Sequence, residues 1–251
     1  MRARFAIPKV LLAALAAIVV GSGVKATAGP KDVCERNVVD RLSVGPLVET
    51  PARKGRTAEA FVILYSGDGG WAKADCEFSH RFAERGMPVL GVNSVRYFAQ
   101  RRTPATAAAD LGRWIDAYSA RFGRPKVILM GYSFGASALP IIAEQLPPAE
   151  RGKIEEVALA GPGAGAELVL RPRTWFNVLA ADATPVAPAL RHIHDLKVVC
   201  VYGQEDPHAA CPNYPTGSVE LRPVAAEHRF RGAYQTVVDA VVAPVPTATS
   251  G

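Results

Sequence analysis

Short runs of consecutive apolar residues alternate along the chain with longer segments in which apolar positions recur at helical spacing. The runs are rich in β-branched residues and predict buried strands at 61–65, 88–92, 126–130, 154–160, 197–202 and 218–221. The longer segments predict helices at 74–85, 103–122, 136–145 and 232–242. This alternation is typical of an α/β protein in which helices flank a mostly parallel sheet.

The first 28 residues have the features of a secretory signal peptide. Basic residues precede an unbroken apolar run at 10–20, and the small residues Ala26-Thr27-Ala28 follow it. The apolar run is too short to span a bilayer comfortably, although an uncleaved N-terminal anchor is the alternative interpretation. We therefore expect cleavage after Ala28 and export of the mature protein.

The rest of the chain is long enough for one α/β domain with a sizeable core. We expect a lead-in segment at 29–56, the domain at 57–242 and a disordered tail, rich in Pro, Ala and Thr, at 243–251. The stretch 161–188 is punctuated by Gly and Pro and lacks clear periodicity. It predicts either a lid over a site or a plain surface excursion.

The net charge changes once the predicted signal peptide is set aside. The whole chain carries a formal net charge of +6, but residues 1–28 contain four basic residues and no acidic one, which leaves +2. A nearly balanced domain gives no electrostatic reason to expect a nucleic-acid partner.

The even number of cysteines, in a chain expected to be exported, favours disulfide bonds. The cysteines are Cys34, Cys76, Cys200 and Cys211, and three pairings are open. Cys200 with Cys211 is the preferred pair because it would close a short loop around a candidate acid. The cysteines lack the paired C-x-x-C spacing of a zinc site, and we expect neither a metal nor a cofactor.

The run Gly131-Tyr132-Ser133-Phe134-Gly135 matches the G-x-S-x-G pattern of a nucleophile elbow. In that turn the serine backbone is strained, and small residues are needed two positions before and after it. The match alone is weak, because average residue usage produces it in roughly one chain in ten of this length. Its context strengthens it, since a predicted strand precedes Ser133 and a predicted apolar helix, interrupted by Pro140, follows. Ser133 is therefore the candidate nucleophile.

A serine hydrolase of this type carries its triad in the order serine, acid, histidine. Asp206 follows the predicted strand 197–202 and is the preferred acid, with Glu205 as the close rival. His228 is the only histidine after the last predicted strand, so it is the candidate base. The sequence thus predicts a Ser133-Asp206-His228 triad and a serine hydrolase that cleaves ester bonds.

An oxyanion hole needs two backbone N–H groups aimed at the tetrahedral intermediate. Phe134, directly after the candidate nucleophile, would supply one. The glycine-rich run 66–71 would supply the other, with Asp68 N–H preferred and Gly69 N–H second. Gly69 and Trp71 of this run are also expected to contact the substrate. The same glycines would suit an ordinary tight turn, which is the alternative interpretation.

Several of these motifs together resemble the bacterial VirJ/AcvB virulence-protein family. The resemblance rests on the segments 66–71, 91–98, 131–136, 139–140, 200–203 and 211–212, and on His228 and Phe230. The resemblance covers about 61–234. Within the family, the chain is similar to the single-domain VirJ form rather than to the longer AcvB-like form. The chain departs from the family pattern at Asn93 and at 225–227.

The resemblance implies an α/β-hydrolase fold, a location in the Gram-negative periplasm and two kinds of role. AcvB-like members are associated with hydrolysis of lysyl-phosphatidylglycerol, and VirJ-like members with type IV secretion and transfer of virulence substrates. The leading hypothesis is a periplasmic hydrolase that cleaves the aminoacyl ester of an aminoacylated phospholipid at the membrane surface. The alternatives are a periplasmic factor that binds secretion-system proteins and a general carboxylesterase.

Overall fold

The computed structural model describes residues 47–55, 58–169 and 183–243. Within these residues the strands are β1 (Leu47–Thr50), β2 (Ala60–Tyr65), β3 (Val89–Val92), β4 (Lys126–Tyr132), β5 (Ile154–Ala160), β6 (Gly165–Ala166), β7 (Thr184–Pro185), β8 (Val198–Gly203) and β9 (Glu220–Val224). The helices are α1 (Lys73–Glu84), α2 (Ser94–Tyr97), α3 (Pro104–Phe122), α4 (Phe134–Ala143), α5 (Pro148–Arg151), α6 (Val186–His192) and α7 (Tyr234–Val242). A one-turn 3₁₀ helix covers Cys211–Asn213.

Seven of the described strands form one sheet in the order β1-β3-β2-β4-β5-β8-β9. Neighbouring strands run parallel except for β1, which pairs antiparallel with β3 at one edge. Because β3 and β4 flank β2 on opposite sides, the strand order reverses here, and the loops after β2 and β4 border a crevice at their carboxyl ends. The predicted α/β class with a mostly parallel sheet is confirmed.

Helices cover both faces of the sheet because its strands carry apolar side chains on both sides. In β2, the residues Phe61, Ile63 and Tyr65 belong to a core cluster that contains residues of α3 and α4. Val62 and Leu64 belong to the opposite cluster, which contains residues of α1 and α7. All six residues of β2 are buried, so this strand lies at the centre of the layered structure.

The two edges of the sheet differ from the sequence prediction. β1 lies within the predicted lead-in segment 29–56 and pairs Leu47 with Val92. Sequence analysis predicted no strand there, because four residues carry little periodicity. At the other edge β9 spans Glu220–Val224 rather than 218–221 and includes Pro223. Proline cannot donate to a sheet, but an edge strand tolerates it because one of its sides is unpaired.

The four longest described helices, α1, α3, α4 and α7, agree with predicted ones to within a few residues, whereas the shorter α2, α5 and α6 were not predicted. α3 begins after Thr103, whose hydroxyl accepts the backbone N–H of Thr106, and it ends at Gly123 with a φ of 63°. These are the ordinary start and stop signals of a helix.

A disulfide joins Cys200 of β8 to Cys211 of the 3₁₀ helix, with the Cα atoms 5.9 Å apart. It closes the loop that follows β8, and it is the pair that the sequence analysis preferred. Cys76 in α1 is also disulfide-bonded.

Several predictions fall on residues outside the described part of the chain. The signal peptide at 1–28, all of the predicted tail but its first residue, and residues 170–182 of the candidate lid lie there. The described parts of 161–188 include β6, β7 and the start of α6. None of the described helices is both long enough and apolar enough to cross a membrane.

Candidate active site

Ser133 occupies a sharp turn between the end of β4 and the start of α4. Its backbone has a φ of 50° and a ψ of −112°, in a positive-φ region that side-chain-bearing residues rarely adopt. The Ser133 N–H donates to the carbonyl of Ala160 at 2.8 Å, which ties the turn to the neighbouring strand β5. Sheet pairing and the following helix therefore hold a strained conformation of the kind found at functional sites.

Gly131 and Gly135, on either side of this turn, have no room for a side chain. A Cβ atom on Gly131 would lie 2.4 Å from the carbonyl oxygen of Gly135, and one on Gly135 would lie 2.4 Å from that of Tyr65. Only glycine fits positions where backbone approaches this closely. Close packing around the turn thus explains the G-x-S-x-G spacing.

The side chains of Ser133, His228 and Asp206 form a continuous chain of hydrogen bonds. Ser133 Oγ lies 3.1 Å from His228 Nε2, and His228 Nδ1 lies 2.9 Å from Asp206 Oδ2. An ionised carboxylate only accepts, so it assigns the proton to Nδ1 and leaves Nε2 to accept from the serine hydroxyl. The structure brings together the three residues predicted as nucleophile, base and acid.

Asp206, rather than Glu205, is the acid that reaches the histidine. Its second oxygen, Oδ1, accepts the backbone N–H of His208 at 2.9 Å, which fixes the orientation of the carboxylate. The Asp206 side chain is 8% exposed and that of His228 is 43% exposed, so the acid lies behind the histidine. Glu205 is exposed to solvent and contributes its backbone N–H to the carbonyl of Ala226.

Two glycines that the sequence analysis did not single out allow this arrangement. A Cβ atom on Gly203, at the end of β8, would lie 2.3 Å from the carbonyl oxygen of Ala226, so the acid loop and the histidine loop touch here. Gly161, directly after β5, has a φ of 62°, and a Cβ there would lie 3.4 Å from the His228 ring. Both glycines directly follow a predicted strand, at 154–160 and at 197–202, and this position is the sequence feature that could have identified them.

The loop that carries His228 is anchored by Phe230. Phe230 is fully buried and has a φ of 50°, and its N–H donates to the carbonyl of Glu227 at 3.1 Å. Its ring packs near that of Tyr132, the residue before the candidate nucleophile, with ring centroids 6.4 Å apart. A buried aromatic two residues after His228 therefore holds the histidine loop against the nucleophile turn.

The glycine-rich loop after β2 lies directly beside the nucleophile turn. A Cβ atom on Gly67 would lie 3.4 Å from the ring of Tyr132 and 3.5 Å from Ser133 Cβ. The Gly70 N–H donates to the carbonyl of Gly67 at 3.1 Å, which closes a tight turn over 67–70. Glycine at position 67 therefore lets the loop backbone pass close to the serine.

Both predicted sources of oxyanion donors border the same cleft as Ser133. Phe134 is the first residue of α4, where backbone N–H groups have no partner within the helix. Asp68 and Gly69 line the cleft from the glycine-rich loop, and Asp68 is half-buried. The arrangement allows a carbonyl oxygen above Ser133 to meet N–H groups from two elements.

A third loop, at 161–165, forms another wall of the cleft and is held by Ser137 of α4. The Gly163 N–H donates to Ser137 Oγ at 2.8 Å, and the Tyr214 hydroxyl donates to the carbonyl of Gly163 at 2.7 Å. Burial raises the pKa of the Tyr214 hydroxyl, so this group stays protonated and remains a donor. Ser137 lies four residues after Ser133, on the same face of the helix, and sequence analysis did not use this spacing.

The cleft above Ser133 has a volume of about 1020 Å³, which suits a substrate group of substantial size. Its acidic lining residues are all buried or half-buried: Asp68, Asp75, Glu167 and Asp206. Its basic lining residues other than His228 are all exposed: Lys73, His208, Arg229 and Arg231. Acidic side chains therefore lie inside the cleft, and basic side chains lie at its rim.

Sequence comparison identifies the family of the chain. The model of the family described as bacterial virulence protein (VirJ) matches residues 59–248. The chain belongs to the VirJ family. The match confirms the VirJ resemblance inferred from the motifs. A search of curated proteins finds no match to the chain.

Solved structures with the same fold are similar to this VirJ-family chain over most of its length. Est1E from Butyrivibrio proteoclasticus superimposes with a TM-score of 0.56 at 13% identity, and the match covers 81% of this chain and 94% of that one. An alpha-beta serine hydrolase homologue from Coxiella burnetii gives 0.56 at 17% identity, over 79% and 91%. The esterase domain of a Rhodothermus marinus protein gives 0.52 at 13% identity, over 78% and 89%. At these identities the likeness shows the fold alone, which is the α/β-hydrolase fold.

Trp71 of this VirJ-family chain is buried in the core and does not line the cleft. It was expected to contact the substrate, but its side chain is 9% exposed and packs in the core cluster shared with α1 and α7. A Cβ atom on Gly91 would lie 2.1 Å from the Trp71 ring, so the indole fills the space that a side chain on β3 would take. Burial of this large aromatic surface stabilises the fold more than its exposure to solvent in the cleft would. Trp71 therefore anchors one end of the glycine-rich loop.

Proposed function

We propose that this VirJ-family chain is a periplasmic serine hydrolase. In it Ser133 is the nucleophile, His228 is the general base and acid, and Asp206 orients His228. The observation that carries the proposal is the hydrogen-bonded chain from Ser133 Oγ through His228 to Asp206, with distances of 3.1 and 2.9 Å. A protein that only binds its partners has no need of a serine in a strained turn with a base within hydrogen-bond reach.

In the proposed reaction Ser133 Oγ attacks the carbonyl carbon of an ester while His228 Nε2 takes the serine proton. The N–H groups of Phe134 and Asp68 hold the negative oxygen of the tetrahedral intermediate. His228 then donates its proton to the leaving alcohol oxygen, the C–O bond breaks and an acyl-enzyme forms. Water attacks the acyl-enzyme by the same steps, which releases the carboxylic acid and regenerates the serine.

The proposed substrate is the aminoacyl ester of an aminoacylated phosphatidylglycerol, such as lysyl-phosphatidylglycerol. Such a lipid carries ammonium groups on the acyl side of the scissile ester and a phosphodiester on the alcohol side. Asp68, which is half-buried inside the cleft, would attract an ammonium group. Lys73, Arg229 and Arg231, at the rim, would attract the phosphate. The division of charge in the cleft thus supports an ester that is cationic on one side and anionic on the other.

The proposed place of action is the periplasmic face of the inner membrane, where such a lipid is accessible. The predicted signal peptide at 1–28 supports export. The disulfide between Cys200 and Cys211 supports it as well, because disulfides form and persist in oxidising compartments.

The deciding experiment presents the purified protein with lysyl-phosphatidylglycerol in detergent micelles and with simple soluble esters. The wild type is expected to release lysine and to react with a serine-directed phosphonate, and Ser133→Ala is expected to do neither. Ser218→Ala, which removes a serine that does not line the cleft, is the matched control and should behave as the wild type. No turnover of any ester together with no phosphonate labelling would overturn the hydrolase proposal. Turnover of simple esters without lysine release would overturn the proposed lipid substrate and indicate a general carboxylesterase.

The family description, bacterial virulence protein, supports a second candidate function. In that reading the chain is a periplasmic factor that binds secretion-system proteins and uses the fold as a scaffold. Binding of this kind would survive Ser133→Ala unchanged. A virulence or secretion phenotype restored equally well by wild type and by Ser133→Ala would therefore favour the binding role over the hydrolase.

A further inference from the structure

Asp75 is a buried carboxyl group that the proposed reaction does not use. It is the third residue of α1 and only 1% exposed, although it borders the cleft. Its Oδ1 has no hydrogen-bond partner among the described residues. Burial raises the pKa of this carboxyl from 3.8 to about 7. Keeping a desolvated acid here costs stability, which calls for an explanation beyond the capping of one helix.

The Asp75 carboxyl group holds one end of the glycine-rich loop. Its Oδ2 accepts the backbone N–H of Ala72, at the end of the loop, at 2.9 Å. The Gly70 N–H in turn donates to the carbonyl of Gly67 at 3.1 Å, so a single tight turn connects the start of the loop to the part that Asp75 holds. Asp75 therefore restrains the end of the six-residue segment 67–72 directly, and its start through the 67–70 turn.

The position of that loop relative to Ser133 is what sets the proposed oxyanion hole. Gly67 lies against the Tyr132 ring and Ser133 Cβ, and Asp68 is the next residue along the chain. A shift of Gly67 would therefore move the Asp68 N–H relative to a carbonyl oxygen bound above the serine. Oxyanion-hole hydrogen bonds depend on the donor being in place before the reaction begins.

We propose that Asp75 is a positioning residue that holds the glycine-rich loop so that the Asp68 N–H completes the oxyanion hole. The inference rests on the proposed hydrolase function and adds to it a residue that does not touch the substrate. Tyr132 in β4 and Tyr234 in α7 line the same cleft, and burial first, then the nearby Asp75 carboxyl among other charges, raises the pKa of both hydroxyls.

The test compares Asp75→Ala and Asp75→Asn on a soluble oxoester and on the matching thionoester. Sulfur is larger than oxygen and a poorer hydrogen-bond acceptor, so the ratio of oxoester to thionoester turnover reports on the oxyanion hole. For Asp75→Ala we expect kcat on the oxoester to fall by about 100-fold, KM to change less than about threefold, and the oxo-to-thiono ratio to fall. Asp75→Asn keeps an oxygen that can accept the Ala72 N–H, so we expect it to recover most of the rate.

The matched control is Glu156→Ala. Glu156 is 4% exposed, its pKa is also raised by burial to about 7, and it is ion-paired with Lys197. It pairs with Ile128 in the sheet, several residues before the Ser133 turn. Its replacement should lower stability while leaving the oxo-to-thiono ratio of the folded protein unchanged.

An oxo-to-thiono ratio in Asp75→Ala equal to that of the wild type, with hydrolysis still dependent on Ser133, would overturn the positioning role and leave the hydrolase proposal intact. If Asp75→Ala does not fold, Asp75→Leu decides, because leucine fills the buried site, has no charge to desolvate and cannot accept the Ala72 N–H, so the same fall in the ratio is expected. An unchanged ratio in that variant overturns the proposal. A wild type that hydrolyses no ester overturns the hydrolase proposal itself, and the two failures are therefore distinguishable.

Discussion

His228 and Asp206 share a hydrogen bond of 2.9 Å although they lie 22 positions apart, in loops that follow different strands. The acid loop follows β8 and the histidine loop follows β9, and these are neighbouring parallel strands in the sheet. Because parallel strands present their carboxyl ends at one edge, their loops meet there. The contact is thus a product of strand order, and changes in either loop should act on the same bond.

Replacing the acid of this pair tests its role directly. Asp206→Asn is expected to lower kcat/KM on a soluble ester by roughly 1,000-fold or more, because an amide no longer holds the imidazole in the required tautomer. Glu205→Gln, its neighbour in sequence, should leave kcat/KM within about twofold of wild type, since that side chain is exposed. Steady-state kinetics on both variants provide the measurement. A loss in Glu205→Gln equal to that in Asp206→Asn would contradict the assignment.

A substitution that pushes the acid loop and the histidine loop apart should disrupt the Asp206–His228 hydrogen bond while both side chains stay unchanged. In Gly203→Ala the added Cβ would meet the carbonyl of Ala226 at 2.3 Å, so one loop has to move. We expect kcat to fall about 100-fold, as for displacements of about 1 Å, and the free energy of unfolding to fall by roughly 1–3 kcal/mol.

The control for that change is Gly112→Ala in α3. A Cβ there would make an ordinary contact with Glu150 at 3.4 Å, so activity should be retained. Urea unfolding and ester turnover are measured on both variants. Full activity in Gly203→Ala would show that the two loops do not depend on this close approach.

The acidic side chain at the oxyanion loop is expected to select for cationic acyl groups. Asp68→Asn retains the backbone N–H proposed as a donor and removes only the charge. The ratio of kcat/KM for lysyl- over alanyl-phosphatidylglycerol should therefore fall by about threefold to tenfold, which is the scale of one partly exposed ion pair.

Asp116→Asn supplies the comparison, because Asp116 is exposed and paired with Lys153 away from the cleft. It should leave the lysyl-to-alanyl ratio unchanged. An unchanged ratio in Asp68→Asn as well would remove Asp68 from the proposed recognition of the ammonium group.

The buried Glu156 should make stability depend on pH. Its pKa is raised by burial from 4.5 to about 7, because desolvation outweighs the attraction of Lys197. The folded state then binds the proton more tightly than the unfolded state. The stabilisation is full below about pH 4.5 and is lost as the pH rises towards about 7.

We therefore expect the free energy of unfolding of the wild type, relative to Glu156→Gln, to decrease by roughly 3 kcal/mol between pH 4 and pH 8. Urea titrations of both proteins across this range are the measurement. A difference between them that does not vary with pH would show that the carboxyl titrates normally.

Sequence analysis located the nucleophile turn because all of its signals are local. The two glycines around Ser133, the strand before it and the helix after it lie within a short stretch, so pattern and spacing identify them together. The acid and base followed from the order of elements along the chain, since His228 is the only histidine after the last predicted strand. The structure brings these residues together, and their catalytic roles stay predictions.

The features that sequence analysis missed depend on contacts between distant segments. Nothing near Trp71 in the sequence shows that its ring covers Gly91, so its place in the glycine-rich run predicted a substrate contact. The position of Gly203 after a predicted strand marked it only weakly, because the group that it must avoid is the carbonyl of Ala226 in another loop. β1 is too short to carry periodicity and is defined by its pairing with β3.

The Cys200–Cys211 disulfide constrains the acid loop only after the two cysteines have been oxidised. Asp206 lies inside the segment that this bond closes, so in the reduced protein the loop that carries it lacks this covalent link. Under the proposed export, this bond forms only after translocation into an oxidising compartment. Protein for the ester assays should therefore be prepared under oxidising conditions, because we expect reduced protein to show a lower turnover.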